Sequence, residues 1–204
     1  MRICRAVLRE HLPEVIQNVR KKHPTLKVAL KEAYHPELET LLQKEELDLA
    51  VTLIEKKSAP GIQSMALLEL PLALLVPGNS KVTTPEQLWK RDKIDEPLIC
   101  LPGAEMICKN FQQGLARLGV DWFPSIEVSS VDLMEAYVAN GFGIGVSVLA
   151  PRLKAVPNVK MLPLTGFAPV ILGALWQGKT SALLQTFLDE MQQRARRLLQ
   201  NGGA

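Results

Sequence analysis

Cysteine is scarce in this 204-residue chain, and its three copies, Cys4, Cys100 and Cys108, fall in no CxxC spacing. An odd, scattered set excludes a secreted disulfide framework and a zinc ribbon, and it suits a reducing compartment. Histidine is equally rare: His11, His23 and His35 stand twelve residues apart. That spacing misses the HExxH pattern that sets two imidazoles on one helical face, so no metal site is expected. Charge of one sign is lacking too. Lys and Arg number 24 against 21 Asp and Glu, a net +3, too diffuse for the basic stripe that a phosphate backbone requires. The densest cations, Arg194, Arg196 and Arg197, fall in the last turns of a helical pattern, where they complement the carbonyl end of the dipole. Long apolar runs are missing as well. The longest, Leu70 to Val76, is far short of the ~20 residues that cross a bilayer, and Arg9, Glu10 and His11 interrupt the N-terminus before any signal-peptide core. The expectation is a soluble, cytoplasmic protein with no membrane segment, long enough to bury a core without staples.

Catalytic motifs are also missing. Gly141, Gly143 and Gly145 follow a helical pattern and lead into a strand. A dinucleotide fingerprint has the reverse order, so a tight turn with close backbone packing is the better reading. No GxxxxGK[ST] stretch occurs. Ser147, in Gly-Val-Ser-Val, lacks the GxSxG elbow that exposes a nucleophile. Glu45, Glu46 and Asp48 crowd a helix-to-strand turn, where carboxylates are ordinarily solvated. Neither a cofactor nor a catalytic set is expected.

What the chain does have is alternating helix and strand periodicity, the mark of an α/β fold. A short strand at Arg2 to Cys4 precedes Leu8, Leu12, Val15, Ile16 and Val19, one helical stripe that His23-Pro24 ends. Leu26, Val28 and Leu30 alternate with Lys27, Ala29 and Lys31, the period of a strand. Pro36 opens a helix carrying Leu38, Leu41 and Leu42 inward. Leu47 to Leu53 is apolar throughout much of its length, as in a strand covered on both faces of a parallel sheet. The pattern then restarts after Pro77-Gly78-Asn79-Ser80. A short helix runs from Pro85 to Arg91, a strand from Leu98 to Leu101, and a helix bears Ile107, Phe111, Leu115 and Leu118 before Gly119. A strand at Ile126 and Val128, a helix with Val131, Met134, Tyr137 and Val138, and a strand from Gly143 to Val148 complete that half. Val170 to Trp176 is a last strand, and Leu183, Leu184, Phe187, Leu188, Met191 and Leu198 mark a long amphipathic helix.

In open α/β sheets ligands bind beyond the carboxyl ends of strands, where helix N-termini offer free N–H groups. Four turns meet that description: Cys4 to Val7, Ala33 to Pro36, Pro102 to Met106 and Ser129 to Val131. Each is equally readable as an ordinary helix cap.

Three stretches carry a family resemblance: His23-Pro24 with Leu41-Leu42 and Glu46 to Val51, then Leu67 to Pro77, then Val138 to Val146. In order and spacing they resemble the effector-binding domain of LysR-type transcriptional regulators over essentially the whole chain. The resemblance implies two Rossmann-like α/β lobes joined by two crossover segments, similar to type II periplasmic binding proteins, with an effector in the cleft. Lobe one would comprise residues 1–75 plus 170–204, and lobe two residues 76–169. It also implies an N-terminal winged helix-turn-helix that binds DNA, a module absent from this chain.

Carried onto this sequence, the family's effector contacts fall on Cys4, Arg5 and Ala6, where its frequent hydroxyl has no counterpart, and on Tyr34 and His35. They fall further on Gly103, Ala104, Glu105 and Met106, and on Ser129, which does supply a hydroxyl. Glu105 would repel an anion, which favours an amine-bearing or neutral effector. Peroxide-sensing members use two cysteines near the third turn; Cys100 and Cys108 do not align with those positions. The resemblance implies a homodimer, and a homotetramer at full length, with the first helix of one chain against the helix near Val131 to Asn140 of another. DNA would be reached only through the missing module. A solute-binding protein of a transport system shares the fold and is the alternative. An enzyme ranks third, because fold alone does not exclude catalysis.

Overall fold

In the computed structural model, residues 11–31, 35–55, 58–151 and 156–200 are described. They divide into two compact units, one drawn from residues 1–69 and 171–204, the other from residues 70–170.

The first unit pairs the beginning of the chain with its end. Helix α1 (Leu12–Lys22) has Pro13 in its first turn, Glu14 near its positive end and Arg20, Lys21 and Lys22 near its negative end. Its Val15 and Val19, one turn apart, are buried. Helix α2 (His35–Gln43) buries Leu38, Leu41 and Leu42 as expected from their spacing. Strand β1 (Ala50–Ile54) lies antiparallel to β8 (Val170–Gln177), with Ala50 opposite Leu175 and Ile54 opposite Ile171. Strand β2 (Ile62–Leu70) pairs along the other side of β8. Gly173 permits this packing, since a Cβ there would stand 2.7 Å from the Met65 carbonyl oxygen.

The last helix, α6 (Ala182–Gln200), packs on α1 and is tied to it by charge. Lys22 Nζ meets Glu190 Oε1 at 2.9 Å, and Glu14 reaches Arg194 at 2.7 Å and Arg197 at 3.2 Å. Glu190 is buried, so Lys22 offsets much of its desolvation.

Two expectations fail in this unit. Residues 26–31 form no strand among the described residues; Leu26 and Val28 instead line a cavity of about 270 Å³ with Leu47, Leu49, Leu183 and Phe187, and Leu30 is 69% exposed. Alternation describes which side chains seek cover, but a strand also needs a ladder partner. The strand expected at 47–53 begins only at Ala50, and its described partner β8 is antiparallel rather than parallel. That partner comes from the far end of the sequence, which no local pattern announces. The strand at Arg2 to Cys4 lies outside the described residues.

The second unit is a five-stranded mixed sheet in the order β5-β4-β6-β3-β7. Its strands are β3 (Leu72–Pro77), β4 (Leu98–Cys100), β5 (Pro124–Glu127), β6 (Ile144–Val148) and β7 (Val159–Pro163). Strand β4 runs parallel to both neighbours, whereas β3 is antiparallel to β6 and β7. Leu72 to Val76 are all buried, the near-continuous apolar run of a strand covered on both faces. Helices α4 (Met106–Leu118) and α5 (Val131–Ala139) pack on the sheet, and the short α3 (Glu86–Trp89) lies between β3 and β4 in the sequence. Leu75, Ile99, Val128, Met134 and Val138 form one core cluster. The α4 stripe is inward at Ile107, Phe111 and Leu115, but Leu118 is 53% exposed at the helix end.

The three glycines of 141–145 have structural work. Gly141 takes φ +79 after α5, a Cβ on Gly143 would strike the Pro97 carbonyl, and one on Gly145 would meet Met134 Sδ at 2.7 Å. Ser147 is buried within β6, which removes it as an exposed nucleophile.

Gly114 separates two competing effects. Alanine should stabilise an exposed helix interior by about 1 kcal/mol relative to glycine. Here the new Cβ would land on the Phe167 ring, which is buried and stacked on Phe111 at 5.6 Å. Overpacking of that kind costs about 1–3 kcal/mol. Gly114→Ala is therefore expected to lower stability in urea unfolding; a more stable variant would show that the ring yields freely.

Candidate functional site

The parallel strands of the second unit set the site. Because β4 and β5 run side by side in one direction, the turns that follow them emerge at one edge. Val128 N–H donates to the Cys100 carbonyl at 2.9 Å, holding the two strand ends together. From this edge, residues 101–105 lead into α4 and residues 128–130 into α5.

The two helix starts differ. Glu105, the N-cap of α4, is extended (φ −72, ψ 140) and makes no side-chain cap; its N–H donates to the Pro102 carbonyl at 2.8 Å, closing the turn. Ser130, the N-cap of α5, accepts from Leu133 N–H through Oγ at 3.3 Å. Helix α4 therefore presents amide donors that its own N-cap side chain leaves unused, while α5 spends its hydroxyl on its own backbone.

Gly103, Ala104, Glu105 and Met106 thus share an edge with Ser129, which brings together two of the four turns named from the sequence. Gly103, Ala104 and Ser129 are exposed; Glu105 and Met106 are half-buried. The hydroxyl that caps α5 is Ser130 rather than Ser129, which leaves the Ser129 hydroxyl outside the cap. Cys4, Arg5, Ala6 and Tyr34 lie outside the described residues. His35 is the first residue of α2, with its side chain outside the described set.

The edge carries negative charge. Glu105 stands at the start of α4, Glu127 at the end of β5, and Asp132 and Glu135 along α5. Burial, followed by repulsion from Asp132, raises the Glu135 carboxyl above its ordinary range. An additional anion placed here would meet that repulsion, which opposes the attraction of the α4 amides.

Two residues whose local roles the sequence did not reveal belong to this region. Ser130 is the N-cap, and Ser-Ser-Val-Asp contains that signal, since a serine before an apolar-periodic residue with an acid in the first turn marks a helix start. Cys108, in the first turn of α4, interacts with the thiol of Cys100, which that contact and burial push upward. No spacing rule predicted that contact. Glu45, Glu46 and Asp48 are exposed, as solvated carboxylates should be. Among the described residues no cluster of three or more His, Cys, Asp or Glu could hold a metal, and no helix is long and apolar enough to cross a membrane.

Ser130→Ala should lower stability by about 1 kcal/mol through loss of the cap. Ser129→Ala should leave it unchanged within about 0.5 kcal/mol. Chemical denaturation of both variants checks the assignment, and the reverse ranking would contradict it.

Comparison with known proteins agrees with this architecture. The family described as LysR substrate binding domain matches residues 5–196. The HTH-type transcriptional regulator cbl of Escherichia coli (strain K12) is 27% identical over 137 residues, covering 67% of this chain and 43% of that protein. The chain thus spans less than half the length of that relative. Among solved structures, the effector binding domain of a BenM variant superposes with a TM-score of 0.78 at 20% identity, covering 94% of this chain and 91% of that one. The effector binding domain of QuiR in complex with shikimate gives 0.76 at 17% identity, covering 94% and 93%. The fold is therefore the two-lobed, type II periplasmic-binding-protein-like α/β fold. With a match running from residue 5 to residue 196, this chain belongs to the LysR substrate binding domain family.

Proposed function

We propose that this chain is the ligand-sensing part of a LysR-type transcriptional regulator and that it binds a small-molecule effector without transforming it. The observation that carries the reading is the edge of the second unit, where two adjacent helix starts converge beyond parallel strands and α4 is left without a side-chain cap. QuiR, of the same fold, is described with shikimate bound. Here the contact set comprises Gly103, Ala104, Glu105, Met106 and Ser129, joined by Cys4, Arg5, Ala6, Tyr34 and His35. The carboxylates around the edge favour an amine-bearing or neutral effector over an anion. The units drawn from residues 1–69 with 171–204 and from residues 70–170 serve as lobe one and lobe two, so that β3 belongs to lobe two and not, as the resemblance implied, largely to lobe one.

DNA contact belongs to a winged helix-turn-helix N-terminal to this region in the full-length protein, which acts in the cytoplasm. The effector works by preferring one of two conformations, and it shifts their balance only by its difference in affinity for them. Homodimerisation uses α5: Leu133 and Tyr137 are exposed on it, and Tyr137 packs at 5.1 Å against the exposed ring of Phe142. Such a patch is a natural seat for α1 of a second copy, with a tetramer at full length.

A thermal-shift screen of amine-bearing, neutral and anionic metabolites, run with sizing of the same protein, tests the reading. At a hundredfold excess over Kd a ligand adds ~2.7 kcal/mol, a rise of roughly 5–10 °C for a protein of this size. The expected hit is amine-bearing or neutral, is weakened by Ser129→Ala, and is bound by a dimer. A strictly monomeric chain that no metabolite stabilises would overturn it.

A further inference from the structure

Between β7 and β8, residues 166–169 run as an irregular coil that belongs to no strand. Side chains of α4 supply hydrogen bonds to its carbonyls. Arg117 Nη2 donates to the Gly166 carbonyl at 3.4 Å, and Asn110 Nδ2 donates to the carbonyls of Ala168 at 3.2 Å and Pro169 at 2.8 Å. Between these contacts the Phe167 ring stacks on Phe111 and fills the space that Gly114 leaves. The coil therefore lies antiparallel along α4. The two match in length: a helix rises about 10 Å from residue 110 to residue 117, as does an extended chain from 166 to 169.

Asn110 stands one turn beyond Met106, and the carbonyls it holds lie just before Ile171, where the chain enters the first unit. Its side chain is buried, in a helix interior, where an asparagine amide ordinarily competes with the backbone. We propose that Asn110 is a positioning residue that couples the turn at residues 102–106 to the chain entering the first unit, so that a change at the start of α4 is passed to residues 168–171.

Parting α4 from the coil would leave two carbonyls and a buried side-chain amide without partners, a cost that favours moving them together. Sliding one past the other would also draw the Phe167 ring out of the space beside Gly114. A helix start that tightens or shifts therefore carries the coil with it, and the coupling is reciprocal, since the placing of the coil biases how the start of α4 is presented. That this link serves the effector response rests on the proposed function; the link itself does not.

The test needs no effector. Glu105→Asp, Glu105→Ser and Glu105→Ala vary the cap of α4 from strong to poor, which changes amide exchange in its first turn by roughly fivefold across the series. In the ¹³C,¹⁵N-labelled chain, the carbonyl ¹³C resonances of Ala168 and Pro169 and the side-chain amide of Asn110 are expected to shift in step with that exchange. In Asn110→Leu, of similar size but without donors, the first turn keeps its response to the cap while the two carbonyl resonances stay still, a result that a residue merely filling space would not give. Should Asn110→Leu fail to fold, the series in the natural background still decides. Carbonyl resonances that stay flat across that series, or that follow the cap equally well in Asn110→Leu, would each overturn the proposal, whatever the outcome of the effector screen.

Discussion

The parallel alignment of β5, β4 and β6 is the constraint on which the candidate site depends. Parallel neighbours force each crossover helix to begin at the same edge, so α4 and α5 start side by side however their sequences differ. The hydrogen bond from Val128 to Cys100 fixes that adjacency at the strand ends. Small residues make it affordable in space: Gly145 lets Met134 of α5 settle onto β6, and Gly143 clears the Pro97 carbonyl. A core of Leu75, Ile99, Val128, Met134 and Val138 then holds α5 on the sheet. The site edge is thus a consequence of strand direction and of where side chains are omitted, rather than of any reactive group.

The first unit depends on a different device. Its sheet and its helix pair both join the early chain to the last third, β1 with β8 and α1 with α6. Apolar burial along α6 supplies most of the cohesion, and the charged contacts of Glu14 with Arg194 and Arg197 lie partly exposed. Exposed pairs of this kind contribute little stability, roughly 0–1 kcal/mol each. Their value is in register, since one glutamate matched to two arginines favours one angular setting of α1 along α6.

Much of this was legible in the residues. Buried helices with strong stripes, such as that of Val15 and Val19 or of Ile107, Phe111 and Leu115, appeared where periodicity placed them, and Gly119 closed α4 in the left-handed region. The strands at 98–100 and 144–148 followed from short apolar runs between turn signals. Illegible were properties that depend on a distant partner. The alternation of Leu26, Val28 and Leu30 did not become a strand among the described residues, the antiparallel partner of β1 lay more than a hundred residues away, and the strands at 62–70 and 159–163 carried no clear period. In the site, two turns could be named from topology, but the choice of Ser130 over Ser129 as cap depends on how the chain enters α5, which adjacent serines do not reveal.

Family membership, together with an α4 start that its N-cap side chain leaves uncapped among surrounding carboxylates, supports the proposed role in recognition. Following amide shifts in the ¹⁵N-labelled chain as a stabilising effector is added tests this most directly. The account predicts changes concentrated at residues 102–106 and 129–131. Changes confined to the first-unit cavity around Val28, Leu49 and Phe187, with residues 102–106 unmoved, would contradict it.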